Sequence, residues 1–512
     1  MAARGSRWYR PPLQSLAIEN GDSGMAKKKT TKKSSRSKAP RIDRDSMGPV
    51  EVPSDALYGA STQRAVENFP ISTGGLDWTL IHAFAQLKHA AAHANEQLGK
   101  LPAKQARLIR KAADQIVAGT EDPETRDEMM KHFPVGTYQT GSGTSSNVNM
   151  NEVISNMSCL AAGTAIGSKK PVHPNDHVNM GQSSNDTMPT AMQIASAVQL
   201  KNNLIPSLKV LERSLKKKAR QFDGIVKIGR THLQDATPIR LGQEFSGYAA
   251  QITHAIRRAT ESMNELAGNM PIGGTAVGTG INTHPRFSKI VCSELSKATG
   301  VKFREAENHF EAQATRDCVV DAHGRLNTIA VSLSTIASNI RFMACGPRCG
   351  IQEIDLPAIQ PGSSIMPGKV NPVLVESVMQ VAMKVAGNNT TINIGGMGGT
   401  GSLMELNVAM PVMAEALLDS IHILGNVSRI FATHCVDGIA ANKKAIKDSV
   451  EKSLMLGTAL APVIGYDEAA HIAHECYDSG MTIREYATKH STLPPKELEE
   501  VLDVTAMTYP HG

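Results

Sequence analysis

The sequence predicts a mainly α-helical protein, and three observations carry that prediction. Aromatic residues make up only 4% of the 512 residues while methionine is common, at 23, a balance that suits packed helices better than sheets. Long segments repeat apolar residues at three- and four-residue spacing. Sustained two-residue alternation, the mark of half-buried strands, is nearly absent.

The helical segments are clearest after residue 200. In "PSLKVLERSLKKKARQF" (206–222) Leu208, Leu211 and Leu215 form one stripe, with lysines and arginines opposite. "DCVVDAHGRLNTIAVSLSTIASNIRFMA" (317–344) is almost continuously apolar or small, with little charge between Arg325 and Arg341. A helix that apolar on every side is expected inside a bundle or at a subunit interface. "VLVESVMQVAMKVAG" opens a further helix after the prolines at 367 and 372. "PVMAEALLDSIHILGNVSRIF" (411–431) repeats apolar residues at Met413, Leu417, Leu424 and Val427/Ile430, and Leu418 and Ile421 widen that face.

Composition bounds the rest. Apolar residues are 41% and charged residues 20%, as in an ordinary globular protein, and the length suits two or three domains. No apolar run approaches the roughly 20 residues of a membrane span. The seven cysteines (Cys159, Cys292, Cys318, Cys345, Cys349, Cys435 and Cys476) are odd in number and scattered. Reduced thiols in a cytoplasm-like compartment are expected, with no disulfide framework. Cys345 and Cys349 have no second pair at zinc-finger spacing. Residues 1–40 hold ten Lys/Arg against Glu19 and Asp22, a local charge of +8, so the other residues carry about −2 of the total of +6. The basicity belongs to a tail. "MAKKKTTKKSSRSKAP" (25–40) is low in complexity and expected to be disordered. It reads as a solubilising extension, with non-specific nucleic-acid contact as the alternative. Residues 1–24 make a poor transit peptide because of Glu19, Asp22 and the lack of a clear amphipathic stripe, and Met25 is a candidate start.

Between the helices lie islands rich in Gly, Ser, Thr and Asn: "QTGSGTSSNVNMNEV" (139–153), "HPNDHVNMGQSSND" (173–186), "GGTAVGTGINT" (273–283) and "PGSSIMPGKVNP" (361–372). A fifth, "GGMGGTGSLMELN" (395–407), has fewer functional side chains. Hydroxyls, amides and backbone N–H groups gathered at helix N-termini make an anion site. Ser142, Thr144, Ser145, Ser146 and Asn147 form one such cluster, Ser183, Ser184 and Asn185 another, and Lys369 and Asn371 add a charge and an amide. A small anionic ligand is implied, carboxylate rather than phosphate. "PGKV" lacks the Ser/Thr that follows a phosphate-loop lysine, and "GTGINT" lacks a third glycine and a preceding strand. For proton transfer, "GRTHLQDATP" (229–238) offers His232 beside Thr231, and Glu376 begins a helix five residues beyond Asn371. Such an acid can merely complement the helix dipole or can orient a histidine. "HIAHE" (471–475) matches neither zinc-protease order and is read as surface.

Taken together these motifs resemble the class II fumarases of the fumarase/aspartase superfamily. "GSSIMPGKVNP" is similar to the superfamily's signature loop. "VPSDALYGASTQRAVENFPIS", "TGSGTSSN", "HPNDHVNMGQSSND", "GRTHLQDATP" with "LGQEFSGY", "GGTAVGTGIN" and "ELNV" follow the family's order over roughly residues 41–512. The resemblance implies a fumarase/aspartase-like fold: a basic tail over 1–40, an N-terminal domain over 41–184, a central long-helix bundle over 185–440 and a small C-terminal helical domain over 441–512. It also implies a homotetramer with active sites shared between chains. The implied reaction is the reversible hydration of fumarate to L-malate, a step of the tricarboxylic acid cycle, with neither metal nor organic cofactor. Ser363 would be the base. His232 paired with Glu376 would handle the proton at the leaving hydroxyl. Ser142, Thr144, Ser183, Ser184, Asn185, Thr231, Lys369 and Asn371 would bind the substrate carboxylates. His173, Asn175 and Asp176 match a second, peripheral dicarboxylate site. Partners would be small dicarboxylates, not membranes or nucleic acid.

The alternative is an aspartate ammonia-lyase, which shares the signature loop but expels ammonia. Aspartases more often carry Gly-Ala-Gly, Ser-Thr-Asn and Ala-Val-Pro where this sequence has "TGSGTSSN", "GQSSND" and "QDATP". The 395–407 stretch is about three residues longer than the usual fumarase version, and Ala409 stands where a larger Met or Phe is common.

Overall fold

The computed structural model describes residues 39–510. The tail expected to be disordered, apart from its last two residues, and the candidate start Met25 lie outside them.

Five long helical segments close a ring. The first is Ser184–Gln199, which runs through a π-helical turn, Leu200–Leu204, into Ile205–Gln221. It packs on Leu241–Gly268, that helix on Asp317–Met343, that one on Val373–Gly396, and the last, Met410–His434, returns to Ile205–Gln221. The stripe read from the sequence is the inward one: Leu208, Leu211 and Leu215 are fully buried. Each such side chain contributes about 1.5–3 kcal/mol by leaving water. Met413, Leu417, Leu418, Ile421 and Leu424 of the last helix are buried in the same core.

The 317–343 helix, expected inside a bundle or at a subunit interface, is buried on only one face within a single chain. One face is buried by its neighbours, while Asp321, Thr328, Thr335 and Phe342 lie exposed at seven-residue spacing, with Val331 beside them. That outward face mixes polar side chains with the apolar Val331 and Phe342. Met383 and Ile394 of Val373–Gly396 are exposed as well.

Ahead of the ring, an antiparallel pair, Arg41–Asp45 with Gly48–Val52, leads into Ala60–Asn68. Trp78–Gln97 then packs on Ala103–Glu121 and on the start of the ring. Its entry is fixed by Asp77, whose carboxylate accepts the Thr79 N–H at 2.8 Å. Beyond the ring, Lys443–Lys452, Tyr466–Ser479, Ile483–His490 and Pro495–Val501 build a separate small core from Val450, Leu456, Leu460, Ile472, Ile483 and Leu502. That core also takes in Ile228.

Ile228 belongs to a hairpin whose turn holds His232. Val226–Thr231 pairs antiparallel with Gln234–Arg240, with an irregularity between Ile228 and Arg230. The long 395–407 stretch folds back as a two-residue-per-strand hairpin, Ser402–Leu403 with Leu406–Asn407. His471 and His474 are exposed. Among the described residues, no helix is long and apolar enough to cross a membrane.

Candidate active site

Three of the five islands converge within one chain. The helix Thr144–Ala161 starts after Gly143, whose φ of +73° suits glycine, and a Cβ there would stand 2.4 Å from Met188. Ser142 Oγ lies 2.9 Å from Thr144 Oγ1, and Thr144 Oγ1 lies 2.8 Å from Ser184 Oγ. Thus a string of three hydroxyls bridges the N-termini of two long helices. Ser183 is the N-cap of the second: its Oγ accepts the Asn185 N–H at 3.3 Å, and its own N–H donates to Asp186 at 2.8 Å. Asn185 donates to the Ala276 carbonyl at 2.8 Å, which joins the third island. The helix Met410–His434, which follows the fifth, meets the first through the Met410 N–H, which donates to the Gly141 carbonyl at 3.0 Å.

Two buried charges beneath these loops escaped the sequence reading. Lys88 Nζ donates to Asn147 Oδ1 at 2.7 Å, Gln182 Oε1 at 2.9 Å and Asn179 Oδ1 at 3.1 Å. Complete burial pulls its ammonium down to about 7, with the Asp186 charge pulling the other way. Three oxygens match the three N–H groups of an ammonium one for one, so the protonated form is the one the cage fits. Asp186 accepts the Gly273 and Thr275 N–H groups on its second oxygen, both at 3.0 Å. Burial pushes its carboxyl up to about 6 against the pull of the Ser183, Gly273 and Thr275 N–H groups and of Lys88. Lys88 had a readable signal: it sits four residues after Phe84 and seven after Ile81, on the buried stripe of an alanine-rich helix.

The signature loop lies apart from this cluster. Ser363 Oγ accepts the Ile365 N–H at 3.2 Å and the Met366 N–H at 3.0 Å. The Asn371 amide donates to the Gly362 carbonyl at 2.6 Å, and a Cβ on Gly362 would strike the Lys369 carbonyl, so the loop folds tightly on itself. Lys369 is exposed. Glu376 sits in the first turn of Val373–Gly396. His232 forms the hairpin tip with Leu233, both at positive φ (+56° and +61°), the two-residue turn that matches strand twist but strains side chains other than Gly, Asn or Asp. Thr231 precedes it and is exposed. Among the described residues, no hydrogen bond or ion pair of the chain links Ser363, Lys369, Asn371, Glu376, Thr231 or His232 to the hydroxyl string, nor His232 to Glu376.

The hairpin is held at its base by a buried carboxylate. Glu353 faces Lys227 at 3.1 Å and Arg230 at 3.2 Å, and Lys227 also faces Glu244 at 3.1 Å. Burial pushes the Glu353 carboxyl up, and Lys227 and Arg230 pull it back.

His173, Asn175 and Asp176 lie together on the π-helical turn Pro174–Val178. The His173 Nδ1 accepts the Asn175 and Asp176 N–H groups, each at 3.2 Å, so the proton of the neutral ring sits on Nε2. Asp176 Oδ2 is 3.3 Å from the same Nδ1, which has no proton to give it. Among the described residues, no group of three or more His, Cys, Asp or Glu could hold a metal ion.

Hydroxyls gathered at two helix N-termini suit a small anionic ligand, and similarity to known proteins places the chain among the lyases. A family model described as "Lyase" matches residues 48–387, and one described as "Fumarase C C-terminus" matches residues 456–509. The mitochondrial fumarate hydratase of Saccharomyces cerevisiae is 48% identical over 464 residues, 90% of this chain and 92% of that protein. A class II fumarate hydratase of Nitrosomonas europaea is 46% identical over 91% of this chain and 99% of its own. The crystal structure of a class II fumarase from Schistosoma mansoni superposes with a TM-score of 0.87 at 36% identity, covering 92% of this chain and all of that one. The chain belongs to the class II fumarase family, within the fumarase/aspartase superfamily.

Proposed function

We propose that this protein is a fumarate hydratase that interconverts fumarate and L-malate by anti addition and elimination of water. Identity of 45–48% to fumarate hydratases over about nine-tenths of the chain supports that reaction over the ammonia-lyase alternative.

The observation that carries the mechanism is the pair of N–H bonds on Ser363 Oγ. Dehydration of malate removes a weakly acidic proton beside a carboxylate, and a serine hydroxyl is a poor base. An oxygen already accepting two backbone N–H groups is stabilised as its alkoxide, the shift that this role needs. The charge that develops on the neighbouring carboxylate, an aci-carboxylate, falls to Lys369 and Asn371 of the same loop. Thr144 and Ser184, aided by Ser142, Ser183 and Asn185 and by two helix N-termini, bind the carboxylates, with Thr231 completing the set. His232, charged and oriented by Glu376, passes the proton to the leaving hydroxyl.

These groups act together only when chains assemble. Among the described residues of one chain the hydroxyl string, the signature loop and the hairpin tip share no bond, and the 317–343 helix leaves Val331 and Phe342 exposed. Both facts support a homotetramer whose sites draw on several copies. We assign its subunits an N-terminal domain over 41–184, a bundle over 185–440 and a C-terminal domain over 441–512. His173, Asn175 and Asp176 form a second dicarboxylate site. The enzyme serves the tricarboxylic acid cycle from the cytoplasm.

The test is an ultraviolet assay of the metal-stripped protein, following fumarate absorbance with L-malate and L-aspartate as separate substrates. Fumarate from malate alone is expected. Fumarate from aspartate alone would overturn the hydratase reading and keep the loop chemistry.

A further inference from the structure

Of the seven cysteines, five are buried and two, Cys345 and Cys349, are exposed. Both stand on one small closed loop after the Asp317–Met343 helix. The Gln352 N–H donates back to the Cys345 carbonyl at 3.0 Å and the Glu353 N–H to the Met343 carbonyl at 2.8 Å, so the segment leaves and returns at one point. A glycine follows each cysteine. A Cβ on Gly350 would fall 2.8 Å from Cys345 Sγ, which places that sulfur over the residue next to Cys349. A Cβ on Gly346 would stand 3.5 Å from the Gly350 N, so the two arms of the loop cross closely. Neither thiol is shielded, and Arg348 directly precedes Cys349. The loop ends on Glu353, the carboxylate that holds Lys227 and Arg230 at the base of the His232 hairpin.

We propose that Cys345 and Cys349 are a reversible dithiol, oxidised to an intrachain disulfide by low-molecular-weight disulfides, and that closing this bond shifts the Glu353 anchor and lowers turnover. The Cys349 thiolate attacks one sulfur of the oxidant RS–SR, forming a mixed disulfide and releasing RS⁻. The Cys345 thiolate then attacks the Cys349 sulfur, forms the Cys345–Cys349 bond and expels the second RS⁻. Two protein thiols are oxidised, RS–SR is reduced to two RSH, and the two protons lost by the cysteines end on the two released thiols. Three of the buried cysteines are held as thiols: burial pushes Cys292 and Cys435 up to about 12 and Cys318 up to about 11, which leaves little thiolate.

The turnover half of the proposal rests on the fumarate hydratase reading; the thiol half does not. The purified full-length enzyme is incubated with oxidised glutathione, and peptide mass mapping and malate turnover are followed together. The expected product is a 345–349 peptide lighter by two hydrogens, with kcat reduced several-fold and by no more than about 10², the cost of a 1 Å misplacement. Dithiothreitol should restore both. Cys345→Ser and Cys349→Ser should retain full turnover, acquire only glutathione adducts and keep their kcat in the oxidant. Adducts without ring closure in the unmodified enzyme, or no reaction, would overturn the dithiol. Ring closure with unchanged kcat would overturn the link to the hairpin. Absence of malate turnover before oxidation would strike the hydratase reading instead and leave the mass measurement standing.

Discussion

Replacing Lys88 by methionine removes a fully buried cation beneath the island cluster while nearly keeping its volume. Its Nζ is the only donor to Asn147 Oδ1 and Gln182 Oε1 among the described residues, whereas Asn179 Oδ1 keeps the Asn147 and Asn151 amides at 3.1 and 3.2 Å. Two buried acceptors are therefore stranded, each costing about 1–3 kcal/mol. The variant also sheds the desolvation of a buried ammonium, which offsets part of that loss. A net destabilisation of about 3 kcal/mol is expected, measured as a shift in the urea midpoint at constant m-value. Asn147 sits one turn below Thr144, and Gln182 precedes the Ser183 cap. KM for malate should therefore rise with the loss of stability, while Lys88→Arg, which can still donate, should recover part of both. Lys88→Met with an unchanged midpoint and unchanged KM would refute the claim that this cage supports the hydroxyl string.

Three further outcomes follow from the same geometry. Lys369→Ala should lose roughly 10²–10³ in kcat with little change in the urea midpoint, because the lysine is exposed and its role is confined to the charged intermediate; a variant that turns over normally would remove Lys369 from the mechanism. Thr144→Val breaks both hydroxyl contacts and a hydrogen bond to a carboxylate, so KM should rise about 10- to 100-fold in steady-state kinetics, from roughly 1.5–3 kcal/mol. Asp186 binds its proton at about 6 in the folded chain and at 3.8 when unfolded, so its contribution is fully present below 3.8 and is lost as pH rises through about 6. That gap is worth roughly 3 kcal/mol. Asp186→Asn should flatten the dependence of the urea midpoint over that window, and equal slopes in the two proteins would contradict it.

The sequence by itself determined the helices and the chemistry of the islands. Leu208, Leu211 and Leu215 could be read as a buried stripe because helical period is a local property, fixed by 3.6 residues per turn whatever the neighbours. The same holds for "GSSIMPGKVNP", whose prolines and glycines forbid regular structure and whose serine, lysine and amide stay adjacent in any fold. What it could not decide were relations across the chain. His232 reads in the sequence only as a neighbour of Thr231, yet it is the strained tip of a hairpin whose Ile228 is buried in the C-terminal core and whose base is held by Glu353, more than 120 residues later. The ring-facing side of the 317–343 helix is buried and its other face, with Val331 and Phe342, open, a split that composition alone cannot draw when apolar residues occur on both faces. Lys88 and Asp186 were hidden for the same reason. A charge is stabilised in a core only by partners brought from elsewhere, here Asn147, Asn179 and Gln182 for the one and Ser183, Gly273 and Thr275 for the other, and those partners meet only once the chain has folded.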